Sequence, residues 1–121
     1  MINTLHIKNI GIIDDITIDL NDGFNVLTGE TGAGKSLIIG SLQILAGGRF
    51  SKEIIRHGEK NAFVEASFFV PNNEFEDDTV IISRELNVSG KNVCKINGRL
   101  VTVSELKSFM TNIIDIHGQN E

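Results

Sequence analysis

Gly29-Glu30-Thr31-Gly32-Ala33-Gly34-Lys35-Ser36 is the stretch around which the chain is organised. It fits G-x-x-x-x-G-K-[ST], the phosphate-binding P-loop. Phe24-Asn25-Val26-Leu27-Thr28 ahead of it reads as a strand, and Leu37-Ile38-Ile39-Gly40-Ser41-Leu42-Gln43-Ile44-Leu45-Ala46 behind it reads as a helix. Strand, glycine loop and helix are the context the motif requires. A polyphosphate carries several negative charges and must be wrapped by donors. Glycines at 29, 32 and 34 let the backbone turn its N–H groups inward as an anion nest. A helix starting near Lys35 adds unpaired N–H groups and the positive end of its dipole. Lys35 is expected to reach the β- and γ-phosphates of ATP, and the Ser36 hydroxyl to bind Mg²⁺. Glu30, Thr31 and Ala33 contribute backbone more than side chain.

Composition bounds the rest. At 121 residues the chain reads as one domain, with 40% hydrophobic and 22% charged residues. No apolar run approaches the roughly 18 residues of a membrane span, and residues 1–6 lack the basic and apolar regions of a signal peptide. Cys94 is the only cysteine, which excludes an intramolecular disulfide and fits a reducing cytoplasm. A net charge of −5 does not mark a general nucleic-acid binder.

Outward from the P-loop, residues 1–8 read as a strand with Leu5 and Ile7 on one face. Asn9 to Asp15 reads as a connection, and Ile16, Ile18 and Leu20 mark a second strand before the turn at Asn21-Asp22-Gly23. Gly47-Gly48 stops the P-loop helix. Residues 49–61 form a locally basic connection with Arg49, Lys52, Arg56, His57 and Lys60. It reads as a solvated loop, or else one in which Arg49 or Arg56 faces nucleotide or DNA. A strand follows over 62–70, then an acidic loop to Asp78. Thr79–Leu86 and Asn92–Ile96 read as a hairpin, and Asn97-Gly98 as a tight turn. Thr102-Val103-Ser104-Glu105 fits a capping box. The helix behind it is expected to turn Val103, Leu106, Phe109 and Met110 inward, and Ile113-Ile114-Asp115-Ile116 reads as a short strand before a polar loop. The abrupt end after that stretch leads us to expect that the native protein continues, making 1–121 a single, truncated domain.

The combination resembles the N-terminal part of the ATPase head of the RecN family. These are bacterial DNA-repair proteins related to the structural-maintenance-of-chromosomes (SMC) family. The residues carrying the resemblance are Leu5-His6-Ile7-Lys8-Asn9, Gly23 to Ser36, Gly47-Gly48-Arg49 and Ile55-Arg56-His57-Gly58. They continue through Ala62-Phe63-Val64-Glu65-Ala66, Ile96-Asn97-Gly98-Arg99 and Ile114-Asp115-Ile116-His117-Gly118-Gln119-Asn120-Glu121. The resemblance implies an α/β fold of mixed α+β character: the N-terminal half of an ABC/SMC-type P-loop ATPase head. An antiparallel β-lobe would lie beside the P-loop strand–helix core.

It also implies that Gln119 is the Q-loop residue that reaches Mg²⁺ and the attacking water. The family usually carries His-Gly-Gln-His-Glu here, where this chain has Asn120 in the second His position. His117 is read as a packing histidine, and Arg49 resembles the arginine that SMC-type heads place near nucleotide and DNA. The acidic Walker B residues and the signature motif come from the family's C-terminal half. The partners implied are therefore that C-terminal half, a second head in an ATP-sandwiched homodimer, and DNA through the full-length protein, in a cytoplasmic, nucleoid-associated setting with no membrane. The full-length parent would be an ATPase acting in double-strand break repair and recombination, and the fragment alone inactive. Two other readings stand beside this one: another ABC-type P-loop ATPase such as a transporter subunit, and a non-hydrolysing nucleotide-binding or dimerisation module.

Overall fold

The computed structural model describes residues 2–19, 32–71 and 78–117, with side chains for all of these except 32–35 and 113–117. Strands β1 (Ile2–Ile10) and β2 (Ile13–Asp19) open the chain. Helix α1 (Gly32–Leu45) and a short 3₁₀ turn (Lys52–Ile54) follow. Strands β3 (Asn61–Phe69), β4 (Thr79–Asn87), β5 (Asn92–Ile96) and β6 (Arg99–Val101) precede helix α2 (Val103–His117). The strands form one antiparallel sheet in the order β2-β1-β3-β4-β5-β6.

The alternation in the strands decides which face is buried. On β3, Ala62, Val64, Ala66 and Phe68 are buried while the residues between them are not. Register carries this across the sheet: Leu5 and Ile7 lie opposite Ala66 and Val64, and Ile82 lies opposite both Ala66 and Ile96. These side chains join Ile38, Ile44 and Leu45 of α1 and Leu106, Phe109 and Met110 of α2 in one core. The helices therefore cover one face, with α1 against β3 and β4 and α2 against β5. The other face is largely polar, as a one-sided antiparallel sheet requires. There Thr4 and Ser67 share a hydroxyl hydrogen bond of 2.8 Å, and His6 Nε2 lies 2.7 Å from Asp15 Oδ1.

Several boundaries differ from those read in the sequence. The expected connection over Asn9–Asp15 is a tight hairpin, with Ile10 paired to Ile13 and only Gly11 and Ile12 in the loop. Gly11 has φ +57 and Ile12 is not in the positive-φ region, the pattern of a type II′ turn. Asn9 also has φ +59, and its buried side chain donates to the Asn61 carbonyl at 3.1 Å. Two turn-forming residues so close together imitate a loose loop. Asn97 (φ +50) and Gly98 (φ +82) form the expected tight turn, with Ile96 opposite Arg99 in the manner of a type I′ hairpin. Strand β6 beyond it, three residues long, is an addition to the sequence reading.

The capping box is reciprocal: Thr102 N–H donates to Glu105 Oε1 at 2.7 Å, and Glu105 N–H to Thr102 Oγ1 at 3.0 Å. The helix it starts does not stop for a strand at Ile113–Ile116; α2 runs through to His117. Leu106, Phe109, Met110, Ile113 and Ile114 recur at helical spacing, and a short apolar stretch at the end of such a stripe continues the helix. Val103 does not turn inward but is 37% exposed at the first helical position. The expected turn at Asn21-Asp22-Gly23 and the strand Phe24–Thr28 lie outside the described residues.

Ile82 is fully buried at the centre of the sheet. Ile82→Ala is expected to destabilise the protein by about 2–5 kcal/mol, the range for truncating such a side chain. Urea denaturation at constant m-value measures it.

Candidate nucleotide-binding site

Of the P-loop stretch, Gly29, Glu30 and Thr31 lie outside the described residues. Gly32, Ala33, Gly34 and Lys35 form the first turn of α1, so the helix begins three residues earlier than the sequence reading placed it. The first N–H groups of any helix lack intrahelical acceptors. The first turn of α1 contains no acidic residue to occupy them, and they stand at the positive end of the helix dipole. Ser36 follows in the helix and is exposed, so its hydroxyl is available. This arrangement fits an anionic phosphate group with its cation.

The β1–β2 hairpin tip approaches the same end of α1. A side-chain carbon added at Gly11 would lie 3.2 Å from Leu37 Cδ2. Residues 51–56 hold that tip: Gly11 N–H donates to the Ile54 carbonyl at 2.9 Å, and Arg56 N–H to the Asn9 carbonyl at 2.8 Å. The Arg56 guanidinium donates through Nη1 to the Ile12 carbonyl at 2.9 Å. The basic connection is thus a docked brace in which Arg56 supports the hairpin, while Arg49 is exposed. Glu53 sits in the 3₁₀ turn with its carboxyl held below the ordinary range, first by a backbone N–H and then by the Ser51 hydroxyl. Gln119 and Asn120 lie outside the described residues; the backbone of His117 ends α2.

The far end of α1 is as strongly determined. Gly47 N–H donates to the Ile44 carbonyl at 3.1 Å and Gly48 N–H to the Gln43 carbonyl at 2.9 Å. This is the Schellman pairing, with Gly47 at φ +101 in the position that favours glycine. Arg84 of β4, only 2% exposed, reaches into this turn. Its Nη1 donates to the carbonyls of Ile44 (2.9 Å) and Gly48 (2.6 Å), and its Nη2 to Asn92 Oδ1 (3.3 Å). The Phe50 ring centroid lies 5.4 Å from the guanidinium carbon. The sequence reading passed over Arg84. Its signal was present: one arginine at an inward position of an alternating strand, between Ile82 and Leu86.

Residues 4–121 match the family model of the AAA domain. The chain belongs to the AAA domain family. Among curated relatives of this AAA-domain chain, the DNA repair protein RecN of Bacillus subtilis is 39% identical over the whole of it and that of Halalkalibacterium halodurans 40%. RecN of Deinococcus radiodurans is 37% identical over 98% of the chain. The chain spans about a quarter of these relatives, at 23%, 24% and 21% of their lengths.

Solved structures agree. One of an SMC ATPase, described in terms of ATP-driven dimerization and DNA-stimulated activation, superposes with a TM-score of 0.77 and 26% identity over 91% of this chain and 77% of that one. An SMC head bound to the C-winged helix domain of ScpA gives 0.74 and 25% over 91% of this chain and 39% of that one. The fold is that of an N-terminal ABC/SMC ATPase-head segment, and the chain is RecN- and SMC-like within the AAA domain family.

A side-chain carbon at Gly47 would collide with Lys107 of α2. Gly47→Ala is expected to lower stability by about 1–3 kcal/mol through backbone strain alone, with the collision adding to it. A chemical denaturation midpoint falling at unchanged m-value is the readout.

Proposed function

We propose that this segment is the phosphate-holding half of an SMC-like ATPase head acting in DNA double-strand break repair and recombination. The observation that carries the reading is the P-loop sequence entering a helix whose first turn is free of acidic side chains. ATP with Mg²⁺ fits that cradle. The first-turn N–H groups and Lys35 hold the β- and γ-phosphates, and the Ser36 hydroxyl holds the metal. The motif assigns Gly29, Glu30, Thr31, Gly32, Ala33 and Gly34 to phosphate binding through backbone N–H groups. Mg²⁺, when bound, neutralises charge on the phosphate oxygens. Gln119 would be the residue that orients the attacking water, as the resemblance to ABC-type heads implies.

The resemblance to RecN and SMC heads implies that the water-activating acid comes from the C-terminal half of the same head. A second head closes over the nucleotide, and DNA is engaged by the full-length protein near the nucleoid. Likeness to RecN and SMC proteins favours this over a transporter subunit. Among the described residues no helix is long and apolar enough to cross a membrane.

In the full-length protein, Lys35→Ala is expected to weaken ATP binding by about 10- to 100-fold, the scale of a lost charge-assisted hydrogen bond. Equilibrium titration with ATP·Mg²⁺ measures it, and unchanged affinity sinks the reading. Ser36→Ala is expected to leave the unfolding midpoint without nucleotide in place, because Ser36 is exposed, and to abolish the gain in affinity that Mg²⁺ brings.

A further inference from the structure

We propose that Arg84 is a positioning residue for the nucleotide site: by clamping the C-terminal end of α1 to the sheet, it sets where the phosphate-binding N-terminal end lies. The inference rests on the reading of α1 as the P-loop helix.

Arg84 is the one buried ionic side chain among the described residues. Taking a guanidinium out of water is costly, and an apolar side chain of similar length is often an equal or better filler. No carboxylate is among the partners that the structure gives it. Two of its three acceptors are carbonyl oxygens of the turn that ends α1, and the third is Asn92 Oδ1 at the start of β5. Its Nε has no hydrogen-bond partner among the described residues. The charge is thus held chiefly by the negative end of the helix dipole, and α1 has no basic residue of its own in its last turn. The Ile44 carbonyl accepts from both Gly47 N–H and Arg84 Nη1, so both its lone pairs are engaged. Mere core filling calls for none of this geometry.

The consequence is mechanical. At 1.5 Å per residue, the 14 residues of α1 make a rod about 20 Å long. A tilt or slide released at Ile44–Gly48 appears at Gly32–Ser36. Arg84 never touches the nucleotide; it fixes the rod that does.

Arg84→Met keeps bulk and removes the donors. Arg84→Lys keeps the charge, but its single ammonium replaces the planar fork that bridges Ile44 and Gly48. In the full-length protein both are expected to raise the Kd for ATP·Mg²⁺ by about tenfold, the scale of one charge-assisted phosphate hydrogen bond weakened. The kcat at saturating ATP is expected to stay within about twofold, because the loss lies in binding. A lower unfolding midpoint with Kd unchanged makes Arg84 structural only and overturns the proposal, as does a fall in kcat with Kd unchanged. Should neither variant fold, Asn92→Ala, at an exposed residue, takes their place. It must raise Kd in the same direction with the unfolding midpoint held, and an unaltered Kd overturns the proposal. Lys35→Ala, run alongside, separates the two failures: if it leaves ATP binding intact, the nucleotide reading itself falls and this inference with it.

Discussion

A guanidinium with no carboxylate among its observed partners, sealed beneath a β-sheet, has to be surrounded by oxygen atoms, and in this fold they come mainly from the end of a helix. Arg84 donates to Ile44 and Gly48, so α1 must stop where it does and the chain must turn sharply there. That turn needs a residue at φ +101, hence Gly47. The close approach of α2 through Lys107 leaves no room for a side chain at the same position. Helix, sheet and second helix therefore meet at one buried charge. The dipole of α1 is complemented at its C-terminal end by a cation from β4, and its first turn holds no acidic residue.

The sheet supplies the second constraint. Its strands bury one face only, so both helices must share that face. Pairing of β3 with β1 closes the chain around α1, because the helix lies between the strands in sequence and packs beneath one of them. The same pairing brings residues 51–56 against the hairpin tip, where Arg56 and Ile54 hold Ile12 and Gly11 beside Leu37. Neighbours of the candidate site are thus placed by long-range β pairing, while the P-loop motif is one continuous stretch.

How much of this was legible depends on how local each cause is. Alternation exposed β1, β3, β4 and β5, since burial on one face repeats every second residue. Asn97-Gly98 and the Thr102–Glu105 box were legible because both are closed by neighbours a few residues apart. The Gly11-Ile12 hairpin was hidden by Asn9, whose positive φ belongs to a strand residue bonded to Asn61 far along the chain. Ile113–Ile116 imitated a strand because a short apolar run suits either structure until the preceding helix claims it. Strand β6 was too short to show a period.

By itself the sequence determined the P-loop motif, from Gly29 to Ser36, and the strand pattern that makes the β-lobe. Those are matters of backbone freedom, charge and two-residue periodicity, which act within a few residues. Only the tertiary structure decided what Arg84 does. Its acceptors at Ile44 and Gly48 are 40 and 36 residues away in the chain. An inward arginine in a strand can mean an ion pair, a bound anion or a helix cap. The choice is made by whichever oxygens folding brings within 3 Å, and sheet register and the crossing of α1 set that proximity, not the residues on either side of it.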